Sequence, residues 1–393
     1  MIKMFSAFTE EIDDVDAAVS DVLSQLRLGD SLLTNSVGLL HCYHEFIDSG
    51  VVKALSEKLP FDIVGITVPY ILLPGRSSSM GLMINVLTSD DVSFITGISD
   101  AIDIGGGNLA KTTERLCKCI SDRLECADKP RMFMTFGPFM HVLKINGDEF
   151  LDNISGHFPN VPVFGAFSFS EELDYSKCYL LYNGEGYEHS AGLIGFVGDV
   201  DPSFLTISVP EKNILGELAT VTKTSGNLIH EINGMSVEDY VLSIGLIEKK
   251  GELEKLYSTP MIATLSDGST IVRVCIGGDG QGGAVMGGHV PEGSTIGFAM
   301  LELSDTVSTS EEIARKTMEI IDGRNVIVYS CMARLEFLGA NQRELEAKSI
   351  CDVFGDLDRY FLAYTGGEIF PYRLPNGEFV NHLHNFSLIV CVL

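Results

Sequence analysis

Tryptophan is absent from these 393 residues, and basic side chains are scarce: 27 Lys and Arg stand against 54 Asp and Glu, a formal net charge of −27. So acidic a surface repels phosphate backbones and anionic lipid, so neither nucleic acid nor a membrane surface is expected as a partner. The nine cysteines include no C-x-x-C pair, which argues against a zinc ribbon. Their odd number, and their places in apolar runs, fit reduced thiols in the cytosol better than a disulfide framework. "CKC" at 117–119 sets two thiols about 200° apart on a helix, where they cannot chelate together. No apolar run approaches the ~18 residues of a membrane span. Acids follow "MIKMFSAF" too soon for a signal peptide. The expectation is a soluble, cytoplasmic chain with neither metal nor cofactor.

What is present is ordinary globular material, 45% hydrophobic and 21% charged with 40 Gly. The length allows two or three domains at about 150 residues each. One order of elements recurs three times: strand, helix, strand, turn, strand. The first copy starts at "NSVGLLHCYHEF", the second at "PRMFMTFGPFM" and the third at "NVIVYSCMARLEF", read as a strand throughout. Gly65, Gly165 and Ala363 fall at matching places, each near a hydroxyl: Thr67, Ser168 and Thr365. A strand–helix–hairpin unit cannot bury both sheet faces alone, so such units should pack together. The predicted fold is α/β: repeated β-α-β-β units forming packed sheets flanked by helices, a layered sandwich in two domains, 1–215 and 216–393. Residues from about 216 to 301 read differently, as β-rich sequence with glycine turns.

Several motifs carry chemistry. "GGDGQGG" holds G-x-G-x-x-G at Gly278, Gly280 and Gly283, but the next residues, "AVMGGHVPEGS", do not read as a helix, so a hairpin loop is expected rather than a dinucleotide site. "SCMAR" places Cys331 and Arg334 together; a thiolate beside a cation would be activated if a base such as His384 were near. "HLH" sets His382 and His384 on one side of a strand, but a third zinc ligand is missing. Glu368 comes after Gly366 and Gly367, which permit a tight turn or a close approach to a ligand. It either pairs with Arg334 or faces a ligand.

"VTKTSGN", "EINGMSVEDY", "HVPEGS", "SCMAR", "YTGGEI" and "HNFSLIV", in this order, resemble the C-terminal domain of the FIST family. The chain before Leu215 is similar, more loosely, to the FIST N-terminal domain, with "GITVPY" and "GAFSFS" after its paired strands. The resemblance implies a sensory protein of bacterial signal transduction that binds compounds such as amino acids. With no output module visible, it would signal through a separate protein or a homo-oligomer. The family positions carried over are Cys331, Arg334, Glu368, His384 and Asn385, joined here by Thr365. Arg334 is expected to receive a carboxylate and Glu368 an ammonium, as a zwitterion requires. Two other readings stay open. Cys331 with His384 as base would make a hydrolase or transferase, and a purely structural role would leave the polar cluster tying strands together.

Overall fold

A computed structural model describes residues 1–124, 129–140, 144–170 and 175–393; Cys126 lies outside the described residues. The first unit runs β1 (Lys3–Thr9), α1 (Val15–Leu26), β2 (Asn35–Cys42), α2 (Glu45–Asp48), α3 (Val51–Lys58), β3 (Ile63–Thr67), the hairpin β4 (Ile71–Leu73) and β5 (Arg76–Ser78), then β6 (Leu82–Ser89). The second runs β7 (Val92–Ile98), α4 (Leu109–Ser121), β8 (Met132–Gly137), α5 (Gly147–His157), β9 (Val163–Phe167), the hairpin β10 (Leu180–Tyr182) and β11 (Glu185–Tyr187), then β12 (Gly192–Gly198). The third opens with β13 (Ser203–Ile207) and is then interrupted.

The interruption is an antiparallel sheet. Its elements are β14 (Ile214–Ser225), β15 (Leu228–Ile232), β16 (Met235–Ser236), α6 (Val237–Ser243), β17 (Met261–Thr264), β18 (Thr270–Arg273), β19 (Cys275–Gly278), β20 (Ala284–Met286) and β21 (Thr295–Ala299). It has its own core, including Val221, Ile232, Val241, Ile271 and Phe298. The "GGDGQGG" stretch is the β19–β20 turn, where Asp279 accepts from the Gln281 and Gly283 amides; no helix succeeds it. The third unit resumes with α7 (Leu303–Ile320), β22 (Val326–Cys331), α8 (Met332–Leu338), α9 (Glu344–Phe354), β23 (Tyr360–Thr365), the hairpin β24 (Glu368–Arg373) and β25 (Phe379–His384), and β26 (Leu388–Val392).

The α/β expectation holds, and the repeat has a precise topology. In each unit the first two central strands are parallel, and the last strand lies antiparallel to the first. Each hairpin leaves its own unit and extends the sheet of another. β4 pairs with β23, β10 with β3, and β24 with β9. The exchange is cyclic, and it gives three six-stranded sheets of equivalent order. Strands buried on both faces read as continuous apolar runs, as in β6 and β22, where every residue is buried.

The inner faces of the three sheets meet in one core. At its centre His41, Phe136 and Tyr329, one from each unit, contact each other with ring centroids 5.6 to 6.1 Å apart. Helices cover the outer faces, α1 and α3 on the first sheet and α4 and α5 on the second. Gly65 is required where the chains approach most closely: a Cβ there would lie 1.7 Å from the Leu40 carbonyl oxygen. Gly165 is in the same situation, 1.9 Å from the Thr135 carbonyl oxygen. Ala363 is one residue out of step with them; it faces the central core, as Ile66 and Ala166 do.

Candidate functional site

The site forms where parallel strands end. Phe139 follows β8, Phe169 follows β9, Cys331 closes β22 and Gly366 follows β23; all four line one cavity of about 400 Å³. Ligands of open α/β sheets gather at this end of the strands. The stretch read as a strand through "SCMARLEF" turns into α8 at Met332, so Met332, Ala333 and Glu336 line the cavity from one helix face. The inserted sheet closes the far side with Tyr257, Val274, Ile276 and Gly287. A groove of about 800 Å³, around Lys129, Arg131 and Arg373, lies at the opposite ends of β8 and β9.

Three rings make one wall. Phe139 lies 5.2 Å from Phe169 and 5.1 Å from Tyr175, centroid to centroid, and Phe169 lies 5.8 Å from Tyr175. Negative charge is supplied by Glu336, which lines the cavity beside Tyr257. Burial, and then the Glu336 charge, push the Tyr257 phenol well above its usual range. Among the described residues, no Lys, Arg or His side chain lines the cavity.

Behind this surface lies a second polar layer. The Thr365 hydroxyl donates to Glu368 Oε1 at 2.9 Å, while Glu368 Oε2 has no partner among the described residues. Glu368 is fully buried, and burial holds its carboxyl well above the carboxylate range. Burial first, and then the neighbouring Glu368, push the Cys331 thiol far up. His384 stands opposite Glu368 in the β24–β25 ladder, and both its ring nitrogens lack partners among the described residues. Burial, then Arg273, hold the imidazole well below its ordinary range. Asn385 donates to the His384 carbonyl at 3.1 Å; its Oδ1 has no partner among the described residues, and only 5% of the residue is exposed. Phe386, with φ of 56°, makes the left-handed step that turns the chain from β25 into β26.

The structure thus brings Cys331, Thr365, Glu368, His384 and Asn385 into one region, with Cys331 and Asn385 on the cavity surface. Arg334 requires correction. It neither pairs with Glu368 nor faces the cavity. Its guanidinium donates to Glu346 at 2.8 Å, to the carbonyls of Ser208 and Thr306, and to the hydroxyls of Thr309 and Ser310. The reason is α7, whose buried stripe of Thr306, Thr309 and Ser310 receives the guanidinium. The Cys331–His384 dyad is corrected as well. Among the described residues neither nitrogen of His384 has a hydrogen-bond partner, and a thiol raised by burial is the wrong state for a nucleophile. His382 is engaged elsewhere, with Ser269 Oγ at 2.8 Å from its Nε2. Among the described residues no group of three or more His, Cys, Asp or Glu is placed to hold a metal ion.

The sequence reading did not single out Glu336, Tyr257 or the three rings. Their signal was positional: Phe139 and Phe169 both fall two residues beyond a strand of a parallel pair. It also missed the clasp that holds the inserted sheet over the cavity. Arg273, on β18, donates twice to Asp148 of α5, at 2.9 Å each, and also to the Leu383 carbonyl. Asp148 accepts further from the His289 amide at 2.9 Å and the Leu383 amide at 3.3 Å.

A sheltered, aromatic-walled cavity with converging polar atoms is the form of a small-molecule binding protein. The comparisons give the family. The FIST N domain matches residues 36–235 and the FIST C domain matches residues 237–371. The chain belongs to the FIST family, whose domains are sensors of signal transduction. No curated protein matches the chain.

Proposed function

We propose that this protein is a cytoplasmic sensor of small amine-bearing metabolites, the amino acids and their relatives, and that the ligand occupies the 400 Å³ cavity. One observation carries this reading. Asn385 lines the cavity, and its Oδ1, Glu368 Oε2 and both nitrogens of His384 are buried without hydrogen-bond partners among the described residues. Buried polar atoms are normally paired, and each orphan costs about 1–3 kcal/mol. A ligand that satisfies them recovers that cost. The thiol inventory supports a reducing compartment: all eight described cysteines are free.

The cavity is walled by the second unit, the third unit and the inserted sheet, so an occupant touches all three. Binding would therefore bias their relative packing. The altered surface would be read by a separate signalling protein or by a second copy of the chain.

A thermal-shift panel of amino acids and related metabolites tests the reading. Binding to the folded state at a hundredfold excess over Kd stabilises by about 2.7 kcal/mol, which raises the midpoint by several degrees. Ala333→Trp, which fills the cavity, should abolish the shift. A panel without any shift, or one that survives Ala333→Trp, counts against the cavity as the ligand site.

A further inference from the structure

Resting on the cavity as the ligand site, we infer that it recognises the ammonium of its ligand and not a carboxylate. The preferred ligand is then an arylalkyl amine, an amino acid's counterpart without its acid group. A zwitterion needs two opposite partners, and the cavity provides one. The two buried arginines near it are spent: Arg334 on Glu346 and Arg273 on Asp148. No cationic side chain lines the cavity among the described residues. A ligand carboxylate would lose its water there and meet the carboxylate of Glu336.

An ammonium meets the reverse. Glu336 offers a carboxylate, and Asn385 Oδ1 is an acceptor with no hydrogen-bond partner among the described residues. A Cβ at Gly287 would come within 2.4 Å of that oxygen, so only a glycine there lets the Asn385 amide pack at the cavity wall. Phe139, Phe169 and Tyr175 present ring surface, which attracts an organic cation through the ring quadrupole and buries an aromatic tail equally well. The formal charge of −27 adds a long-range field that favours cations at every approach.

Calorimetric titration of the full chain with phenethylamine, phenylalanine and N-acetylphenethylamine tests this. The amine should bind at least tenfold more tightly than either the amino acid or the neutral amide. Glu336→Gln should weaken the amine at least tenfold, with the urea midpoint checking that the variant is folded. Tyr175→Ala, at a partly exposed site, should weaken it severalfold and gives a second variant should Glu336→Gln fail to fold. Phenylalanine or the amide binding as tightly as the amine overturns the inference while leaving the cavity reading intact. An absence of binding by every compound, together with a thermal-shift panel that Ala333→Trp leaves unchanged, overturns both.

Discussion

The guanidinium of Arg334 donates to the carboxylate of Glu346 at 2.8 Å, and neither side chain has any exposed surface. Ser330 and Ser310 donate to the same carboxylate. This pair joins β22, α7, α8 and α9 at the root of the third unit. Arg334→Ala leaves a buried carboxylate without its cation, which costs about 3–5 kcal/mol. Removing both charges with Arg334→Met and Glu346→Leu should cost less than the single change. Urea denaturation of the three variants decides it, and a single variant as stable as the parent would sink the assignment.

The clasp between Asp148 and Arg273 governs how the inserted sheet is held. Asp148→Ala leaves Arg273 buried beside three backbone groups with no counter-charge, a loss of about 2–4 kcal/mol. Hydrogen exchange should accelerate most in residues 214–299 and around 383–385, next to the cavity. Uniform exchange across the chain would show that the clasp does not control the insert.

Acid should weaken the centre of the molecule. Burial holds His41 at about 3, well below the unfolded value near 6.5, so it is neutral in the folded state and protonated on unfolding below that value. The unfolded chain then binds the extra proton, and stability falls as pH drops from about 6.5 toward about 3, by about 1.4 kcal/mol per pH unit. His384 and His382 shift in the same direction and add to the slope. His41→Leu removes one proton's share. It also strips Tyr329 of its 3.1 Å partner, so the slope against pH, rather than the absolute stability, is the readout. An unchanged slope would contradict the buried neutral imidazole.

Cys331 should be a slow thiol. Burial keeps it protonated at neutral pH. Iodoacetamide followed by peptide mapping should label the partly exposed Cys119 well before Cys331. Rapid labelling of Cys331 near pH 6 would revive the nucleophile reading.

Much of the scaffold was legible in the sequence because it is written in short-range periodicity. The runs around 35–42, 63–67 and 82–89 are buried on both faces, so their apolar content needs no partner to be recognised. α7 left no such mark: its buried face carries Asp305, Thr306, Thr309, Ser310 and Thr317, of which Thr309, Ser310 and Thr317 bond to carbonyls one turn back and Ser310 accepts from Arg334. The same hidden helix explains why Arg334 was assigned to a ligand. Its true partners lie 12 to 126 residues away in sequence.

By itself the sequence determined the α/β character, the three recurring units, the β-rich interruption and the stretch of residues from which the polar cluster is drawn. These arise from side-chain period, turn chemistry and short motifs, which act over a few residues. The tertiary structure alone decided the cyclic exchange of hairpins, the sign of charge at the cavity and the difference between a ligand-facing residue and a structural one. Each of those depends on which surfaces pack together. Glu336 and Arg334 lie on the same short helix, and only packing turns one toward the cavity and the other onto α7.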